Sequence, residues 1–242
     1  MQKEVKPYNS AVSKKKQVAA MFDNIAGHYD FLNRLLSLGI DKIWRKKAIE
    51  LLRPKNPQFV LDVATGTADV ALETARRLSP ERIIGVDISP EMLNIGRMKI
   101  SKRGMTSIIE LREGDSENLP FKDNTFDAIT VAFGVRNFEN LEAGLSEMHR
   151  VLKDEGQLVV LEFSKPRVFP FKQIFHFYFQ HILPVIGRWT SQDSRAYSYL
   201  YESVQAFPEG DDFLNILQKT GYKSYQCKPL TLGICSIYSA EK

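Results

Sequence analysis

The chain has 242 residues, of which 43% are hydrophobic, so it is long enough for one large α/β domain with a sizeable core. Its formal net charge is +4, and residues 1–16 account for all of it, because they hold five lysines and one glutamate. Residues 17–242 then carry 28 basic and 28 acidic side chains, and a neutral body argues against a nucleic-acid-binding protein.

Residues 1–16 are predicted to be a flexible basic leader, and residues 17–242 a single domain. The leader lacks the apolar segment of a signal peptide, and no stretch reaches the ~18 apolar residues of a membrane-spanning helix. Both cysteines, Cys227 and Cys235, lie in apolar β-like sequence, which indicates core thiols. We therefore expect a cytoplasmic protein whose leader is a solvated tail, with weak attraction to anionic lipid as the alternative.

From residue 58 onward, strand-like and helix-like segments alternate. The predicted strands are 58–64, 82–89, 107–115, 126–133, 156–163, 222–228 and 233–239, and the predicted helices are 69–79, 90–104, 141–153 and 209–220. Such alternation predicts an α/β fold with a mostly parallel sheet that has helices on both faces. The last two strands form a hairpin, which adds one antiparallel strand to a seven-stranded sheet.

Two segments fall outside this alternation. Residues 17–53 have helical character and precede the first strand, so they can fold over the sheet as a lid. Residues 164–208 follow the fifth strand, and 11 of the chain's 26 aromatic residues lie between Val168 and Phe207. These rings include Phe169, Phe171, Phe175, Phe177, Tyr178, Phe179 and Trp189. We expect a helical cap that buries most of its rings and covers something apolar.

The first predicted strand runs into DVATGTAD, residues 62–69. Asp62 ends the strand, and Gly66 permits a tight turn before the next helix. A carboxylate beside this turn would repel a pyrophosphate, whereas it suits a ligand that carries an ammonium and a sulfonium group. Ligands of open parallel sheets bind outside the carboxyl ends of the strands, so we expect a cationic ligand at this turn.

Acidic residues also follow the second and third strands. Asp87 lies 21 residues after Gly66, where an acid accepts hydrogen bonds from ribose hydroxyls. Asp115 can accept from the exocyclic amine of adenine, and Ser116 can donate to the ring. One such aspartate alone is more often a cap, but three at successive strand ends predict a positively charged nucleoside ligand. S-adenosylmethionine fits this description best.

Four longer motifs make the chain resemble the ubiquinone/menaquinone biosynthesis C-methyltransferases over nearly its whole length. They are YDFLNRLLS (29–37) with Asp41 and Trp44, FGVRNFEN (133–140), RVLKDEG (150–156) and LVVLEFSKP (158–166). The chain departs from the family pattern at Leu32 in place of methionine, Asp41 in place of histidine and Ala132 in place of serine. Its third motif also lacks the family's Pro-Gly pair.

The resemblance implies a class I, Rossmann-like methyltransferase that uses S-adenosylmethionine. Besides Asp62 and Gly66, the expected cofactor contacts are Thr67, Asp87, Ile88, Asp115 and Ser116. The implied substrate is a polyprenylated quinol whose isoprenoid tail occupies a channel in the cap. Asp41 and the short carboxyl end favour conversion of demethylmenaquinol to menaquinol. The alternatives are 2-methoxy-6-polyprenyl-1,4-benzoquinol, another small apolar molecule, and a regulatory protein that only binds the cofactor.

Methylation of a quinol ring carbon requires an electron-rich carbon, so the neighbouring hydroxyl must lose its proton. Arg136 is predicted to stabilise the resulting phenolate or to polarise a water that takes the proton, and Asn137 to orient the same oxygen. The alternative for Arg136 is an ion pair with Glu139 or Glu162 that fixes the loop. Tyr29 of the lid is the third catalytic candidate, with helix packing as its alternative.

Three expectations concern other partners of the chain. No His/Cys/Asp cluster has metal-ligand spacing, so no metal is expected. The aromatic cap can present an apolar patch to a membrane, which would give peripheral contact at its inner face. A homodimer is left open.

Overall fold

The structure is a computed structural model, and it describes residues 5–8, 10–37, 39–170, 172–173, 177 and 195–242. Much of the predicted cap, residues 164–208, lies outside this part of the chain. The same holds for the predicted channel rings Phe171, Phe175, Tyr178, Phe179 and Trp189.

The described helices and strands follow the predicted alternation. In chain order they are α1 (Lys14–Leu36), α2 (Asp41–Glu50), β1 (Phe59–Val63), α3 (Asp69–Leu78), β2 (Arg82–Asp87), α4 (Pro90–Lys102), β3 (Ile109–Glu113), β4 (Phe126–Ala132), α5 (Leu141–Val151), β5 (Leu152–Phe163), α6 (Arg195–Ala206), α7 (Asp211–Lys219), β6 (Lys223–Leu230) and β7 (Cys235–Glu241). Within the described ranges, none of the helices combines the length and the apolar character that crossing a membrane requires.

The described strands form one seven-stranded sheet in the order β3-β2-β1-β4-β5-β7-β6. Strands β1 to β5 are parallel, and β7 runs antiparallel between β5 and β6. The predicted fold is confirmed, including the antiparallel strand that the final hairpin adds. Because parallel neighbours end at the same edge, the loops after β1, β2, β3 and β4 lie side by side there.

Hydrophobic side chains cover both faces of the sheet, because successive residues of a strand point to opposite sides. Leu61 and Val63 of β1 pack in a cluster with α5 and α7, while Val60 packs on the other face with α2, α3 and α4. Each of these three side chains is at most 1% exposed. A strand buried on both faces holds its carboxyl end rigidly, and this rigidity is what a ligand site there requires.

The first helix begins earlier than predicted, at Lys14, so the boundary of the leader moves from residue 16 to residue 13. Residues 5–8, before this helix, contact the body, whereas residues 10–13 are exposed. Arg195 Nε of α6 donates to the Pro7 carbonyl at 2.7 Å, and the Gln17 side chain accepts from the Tyr8 amide at 2.9 Å. These contacts correct the expectation of a solvated tail for residues 5–8, since they satisfy backbone groups that a flexible leader would leave to water.

Helix α1 and helix α6 are joined by an apolar cluster. Val18 and Met21 of α1 pack with Ala196, Tyr199 and Val204 of α6. All five side chains are less than 9% exposed. The lid and the described end of the cap therefore form one layer above the carboxyl edge of the sheet.

A substitution at Phe213 can test the core on the face of the sheet that α5 and α7 cover. Its ring is fully buried and lies 5.2 Å from the ring of Phe207 and 4.6 Å from that of Tyr238, centroid to centroid. Phe213→Ala should lower the free energy of unfolding by about 3–5 kcal/mol, because it removes buried apolar area and leaves a cavity. Urea unfolding followed by circular dichroism measures the loss, with exposed Asn215→Ala as the control. A loss of less than about 1 kcal/mol would contradict this packing.

Candidate active site

A pocket that is partly open to solvent lies between α1 and the carboxyl edge of the sheet; it is called the cavity below. Helix α1 covers it with Lys15, Val18, Phe22 and Tyr29. The sheet side contributes Ala64, Gly66, Val86, Asp87, Ile88, Gly114, Asp115, Ser116, Glu117, Ala132, Phe133, Gly134 and Asn137, among others. The structure therefore brings most of the predicted site residues to one cavity, and α1 takes the position expected of a lid.

The turn after β1 is fastened to the end of β2. Gly66 has φ +54°, a left-handed conformation that glycine adopts without strain. Its amide donates to Asp87 Oδ2 at 2.8 Å, and the Ser89 amide donates to Asp87 Oδ1 at 2.9 Å. A carboxylate oxygen can accept two hydrogen bonds, so Asp87 keeps acceptor capacity toward the cavity that it lines.

Burial raises the pKa of Asp87 to about 6, although hydrogen bonds from the amides of Ser89, Gly66 and Ile88 oppose the shift. The negative charge of Asp23 on α1 adds to the increase. The carboxylate is therefore ionised at neutral pH, and the ionised form is the one that accepts from two hydroxyls.

Asp62 supports the site from below and is not one of the residues that line the cavity. It is 1% exposed, and its carboxylate accepts from Thr65 Oγ1 at 2.6 Å and from Thr130 Oγ1 at 2.7 Å. Burial raises its pKa to about 6 as well, against the effect of these two hydroxyls. Asp62 is thus bonded to the turn after β1 and to β4. The sequence had instead predicted a direct contact between Asp62 and the ligand.

Thr67 also lies apart from the cavity lining. Its hydroxyl donates to Asp30 Oδ1 at 2.6 Å and accepts from Lys99 Nζ at 3.0 Å. Lys99 in turn pairs with Asp30 at 2.8 Å and with Asp69. Thr67 therefore belongs to a polar network that fastens the lid to α3 and α4, and the structure does not bring it to the predicted cofactor contact.

Asp115 and Ser116 also line the cavity, with Glu117. Asp115 Oδ1 accepts from the Glu117 amide at 2.9 Å, and Lys15 Nζ lies 2.5 Å from Asp115 Oδ2 and 3.1 Å from Glu117 Oε2. Burial alone would lower the pKa of Lys15. Hydrogen bonds to Asp115 and Glu117 outweigh this effect, so the pKa is raised overall. Sequence reasoning missed Lys15 and Glu117.

A signal for Lys15 was present in the sequence. Apolar residues recur at Val18, Phe22 and Ile25 with the spacing of a helix face, and Lys15 lies one turn before Val18 on that face. The run of three lysines was interpreted as tail composition, which hid the start of the helix.

The loop after β4 approaches the turn after β1 very closely. A Cβ on Gly134 would lie 2.6 Å from the Cβ of Ala64, so only glycine fits there. Asn137 follows in a short 3-10 turn and lines the cavity. It is 8% exposed, and its Nδ2 donates to the Phe133 carbonyl at 3.4 Å, while its Oδ1 has no partner among the described residues. A buried acceptor of this kind needs a donor, and a ligand hydroxyl can provide one.

Arg136 is not one of the residues that line the cavity. Its Nη1 pairs with Glu162 Oε1 at 2.8 Å and also donates to the Phe133 carbonyl. The guanidinium stands 5.5 Å from the centroid of the Phe163 ring, and the Arg136 side chain is 8% exposed. The Glu162 pair that the sequence offered as the alternative is therefore present, and Arg136 stands behind the cavity wall.

Tyr29 lines the cavity, and its ring meets that of Phe22 edge-on at 5.9 Å. Burial raises the pKa of its phenol, and a hydrogen bond with Asn33 and the charge of Arg136 only partly oppose the shift. The phenol is therefore neutral at pH 7 and can donate a hydrogen bond to an oxygen in the cavity.

Solved structures show which class of protein this fold defines. A methyltransferase from Thermotoga maritima, described as S-adenosylmethionine-dependent and as a possible histamine N-methyltransferase, has a TM-score of 0.65 at 18% identity. The match covers 93% of this chain and 99% of that one. A putative S-adenosylmethionine-dependent methyltransferase from Methanococcus maripaludis has a TM-score of 0.60 at 20% identity, with 97% and 96% covered. At this identity the likeness establishes the fold of these methyltransferases.

Sequence similarity identifies the family. The chain belongs to the ubiE/COQ5 methyltransferase family, whose model matches residues 10–242. A demethylmenaquinone methyltransferase of Bacteroides fragilis is 50% identical over 241 residues, which is 100% of this chain and 98% of that protein. A demethylmenaquinone methyltransferase of Porphyromonas gingivalis is 44% identical, covering 99% and 98%. A ubiquinone/menaquinone biosynthesis C-methyltransferase of Geotalea daltonii is 46% identical, covering 95% and 97%. The resemblance found in the motifs is confirmed, and the chain is an S-adenosylmethionine-dependent methyltransferase.

Cofactor affinity should depend on pH through Asp87. Ribose hydroxyls donate to the ionised carboxylate, so binding favours that form. As the pH falls through about 6, the pKa of Asp87, protonation competes with binding. The dissociation constant should then rise, by up to about tenfold per pH unit for one proton.

Calorimetric titration with S-adenosylmethionine from about pH 5 to about pH 7.5 measures this dependence. Asp87→Asn is the control, because Asp62, whose pKa is also about 6, remains in the variant. The difference between the two proteins isolates Asp87. A wild-type affinity that stays constant over this range would exclude Asp87 from the ribose.

Proposed function

We propose that this chain methylates a ring carbon of demethylmenaquinol and so produces menaquinol. The observation that carries the proposal is its 50% identity, over 241 residues, to a protein named demethylmenaquinone methyltransferase. The 46% identity to ubiquinone/menaquinone biosynthesis C-methyltransferases keeps 2-methoxy-6-polyprenyl-1,4-benzoquinol as the second candidate.

The charge of the cavity suits S-adenosylmethionine. Its described lining holds four acids (Asp87, Asp115, Glu117 and Glu139) and one cation, Lys15. The cofactor supplies a methyl group bonded to a sulfonium sulfur, and its net charge at neutral pH is positive. A cavity with excess negative charge attracts such a cation and raises its local concentration.

Each part of the cofactor has a matching group on the chain. Asp87 accepts from the ribose hydroxyls, Asp115 accepts from the adenine amine, and Ser116 donates to the adenine ring. The backbone at Gly66 and Ile88 lies beside them in the cavity lining. In this proposal Asp62 holds the turn from below, and Thr67 holds the lid.

Tyr29 and Asn137 face the quinol ring in the same cavity. The neutral phenol of Tyr29 donates to the quinol oxygen as negative charge develops on it, which stabilises the transition state more than the bound substrate. The amide oxygen of Asn137, which has no partner among the described residues, accepts from a hydroxyl of the ring. A quinone has carbonyl oxygens and no hydroxyl, so this acceptor favours the reduced quinol.

Arg136 acts on the ring through its charge, from behind the wall formed by Phe133 and Asn137. The support for this role is that the charge of Arg136 partly opposes the effect of burial, which raises the pKa of Tyr29, a residue of the cavity lining. The ion pair with Glu162 keeps the guanidinium in one orientation. Arg136 can either stabilise the phenolate or polarise a water from this position, so both predicted roles stay open.

The apolar tail of the substrate favours contact between the chain and a membrane. Val168, Phe169 and Phe177 are 64%, 76% and 59% exposed, and Arg167 lies beside them. We infer that this surface, at the start of the cap, touches the bilayer from which the quinol enters. The lid of residues 17–53 and the described start of the cap then flank the substrate entrance. The homodimer stays a prediction.

Substrate choice is tested with purified enzyme and radiolabelled S-adenosylmethionine. Methyl transfer to demethylmenaquinol should exceed that to 2-methoxy-6-polyprenyl-1,4-benzoquinol in kcat/KM by at least about tenfold, the scale of one well-placed contact difference. The oxidised quinone should accept no methyl group, since it has no hydroxyl whose deprotonation would make the ring carbon electron-rich. Equal rates on both quinols would remove the proposed preference, and transfer to neither would contradict the function.

Arg136 is tested by two variants. Arg136→Gln should lower kcat by ~10²–10³, the scale of one electrostatic donor, and leave cofactor affinity nearly unchanged. It should also destabilise the fold by about 3–5 kcal/mol, because Glu162 stays buried without a counter-charge. Arg136→Gln combined with Glu162→Gln removes both charges and should recover most of the melting temperature while kcat stays low. If the double variant also recovers kcat, Arg136 serves only to neutralise Glu162.

A further inference from the structure

Helix α1 is fastened to the body along its whole length. At its far end Asp30 holds Thr67 and Lys99, and in the middle Asp23 accepts from Ser89 Oγ at 2.6 Å. Its first turn is fastened to the loops after β3 and β4. A cofactor that enters beneath α1 must therefore break one of these attachments, and their strengths differ.

The first-turn attachment has a buried part and a partly exposed part. Lys14 is 8% exposed, and its Nζ donates to the Phe138 carbonyl at 2.7 Å and to the Arg136 carbonyl at 3.3 Å. The side chain of Lys15 is 29% exposed and that of its partner Asp115 is 32% exposed. Exposed ion pairs are weak and are screened by salt, so the Lys15 contact is the part that opens most readily.

The acceptors of Lys15 are held in place by the backbone. Glu117 Oε1 accepts from the amides of Glu139 and Asn140 at 2.8 and 3.0 Å, which leaves Oε2 to Lys15. Asp115 Oδ1 accepts from the Glu117 amide. Because the two acids are fixed, the ammonium of Lys15 finds the same site whenever α1 closes.

Lys15 also stands at the right place to act on the cofactor. It lines the cavity together with Asp115 and Glu117, and Asp115 is the acceptor for the adenine amine in the proposed function. Its Asp115 contact uses Oδ2, and a carboxylate oxygen has a second lone pair. The lysine and the adenine amine can therefore share Asp115.

We propose that Lys15 is a cofactor-positioning residue, which acts through Asp115 and Glu117 to keep α1 closed over the adenosyl group. Breaking its contact is the step that lets the nucleoside enter and leave, so Lys15 sets how long the cofactor stays bound. The inference rests on the proposed cofactor site and is independent of which quinol is methylated.

The neighbouring lysine supplies a matched control. Lys16 is the same residue type on the same turn of α1, and its side chain is exposed rather than in the cavity lining. Replacing either lysine by methionine removes one positive charge and keeps a long, flexible side chain. Only the Lys15 replacement breaks the contact with Asp115 and Glu117.

The experiment measures S-adenosylmethionine binding and release by stopped-flow fluorescence in wild type, Lys15→Met, Lys16→Met and Lys15→Arg. Lys15→Met should release the cofactor about twofold to fivefold faster and bind it faster, whereas Lys16→Met should match wild type. Lys15→Arg keeps the charge and should restore most of the residence time. Raising the salt from about 0.05 M to about 0.5 M should speed release from wild type much more than from Lys15→Met.

Four results would overturn the proposal. Release from Lys15→Met at the wild-type rate, even with a lowered melting temperature, would make the contact merely structural. An equal acceleration by Lys16→Met would make it an effect of net charge. Tighter binding by Lys15→Met without faster release would mean that Lys15 competes with adenine for Asp115. A wild-type enzyme that binds no S-adenosylmethionine would contradict the cofactor site itself, and with it the proposed role of Lys15.

Discussion

The site depends on one hydrogen bond, from the amide of Gly66 to the carboxylate of Asp87, at 2.8 Å. It joins the turn after β1 to the end of β2. It also orients a buried carboxylate that would otherwise lack this hydrogen bond in an apolar environment. Burial would favour the protonated acid, and the amides of Gly66 and Ser89 offset part of that cost. The same bonds fix which lone pairs remain for a ligand. The geometry of a nucleoside site thus follows from satisfying one carboxylate.

The cavity is lined by two kinds of polar group under one helix. Asp115, Glu117 and Lys15 are charged, and Lys15 and Asp115 are partly exposed, so their contacts break and re-form easily. Asn137 is 8% exposed, and burial raises the pKa of Tyr29, so both of these groups are neutral at pH 7. Helix α1 contributes to both kinds of group, since Lys15 and Tyr29 belong to it.

The fold and the acceptors at the ends of β2 and β3 could be predicted from sequence, because strand alternation and acidic residues at strand ends are local signals. Other features depend on contacts between segments that are distant in the chain. Ala68 adopts φ +63° before α3, and Thr67 faces Asp30 and Lys99 rather than the cavity. For Arg136, the position after a strand predicts action on the substrate, with an ion pair to Glu139 or Glu162 as the alternative, and the structure contains the Glu162 pair. The resemblance implies Thr67 and the strand end implies Arg136, but only the tertiary structure shows where their side chains go.

A crystal structure of the enzyme with S-adenosylhomocysteine, the demethylated cofactor, tests the assignment of this cavity most directly. Both ribose hydroxyls should bind Asp87, the adenine amine should bind Asp115 with Lys15 still in contact, and the sulfur should point toward Tyr29 and Asn137. Asp62 and Thr67 should make no direct contact. A nucleoside bound elsewhere, or one whose sulfur lies far from Tyr29 and Asn137, would contradict the assignment of this cavity as the place of methyl transfer.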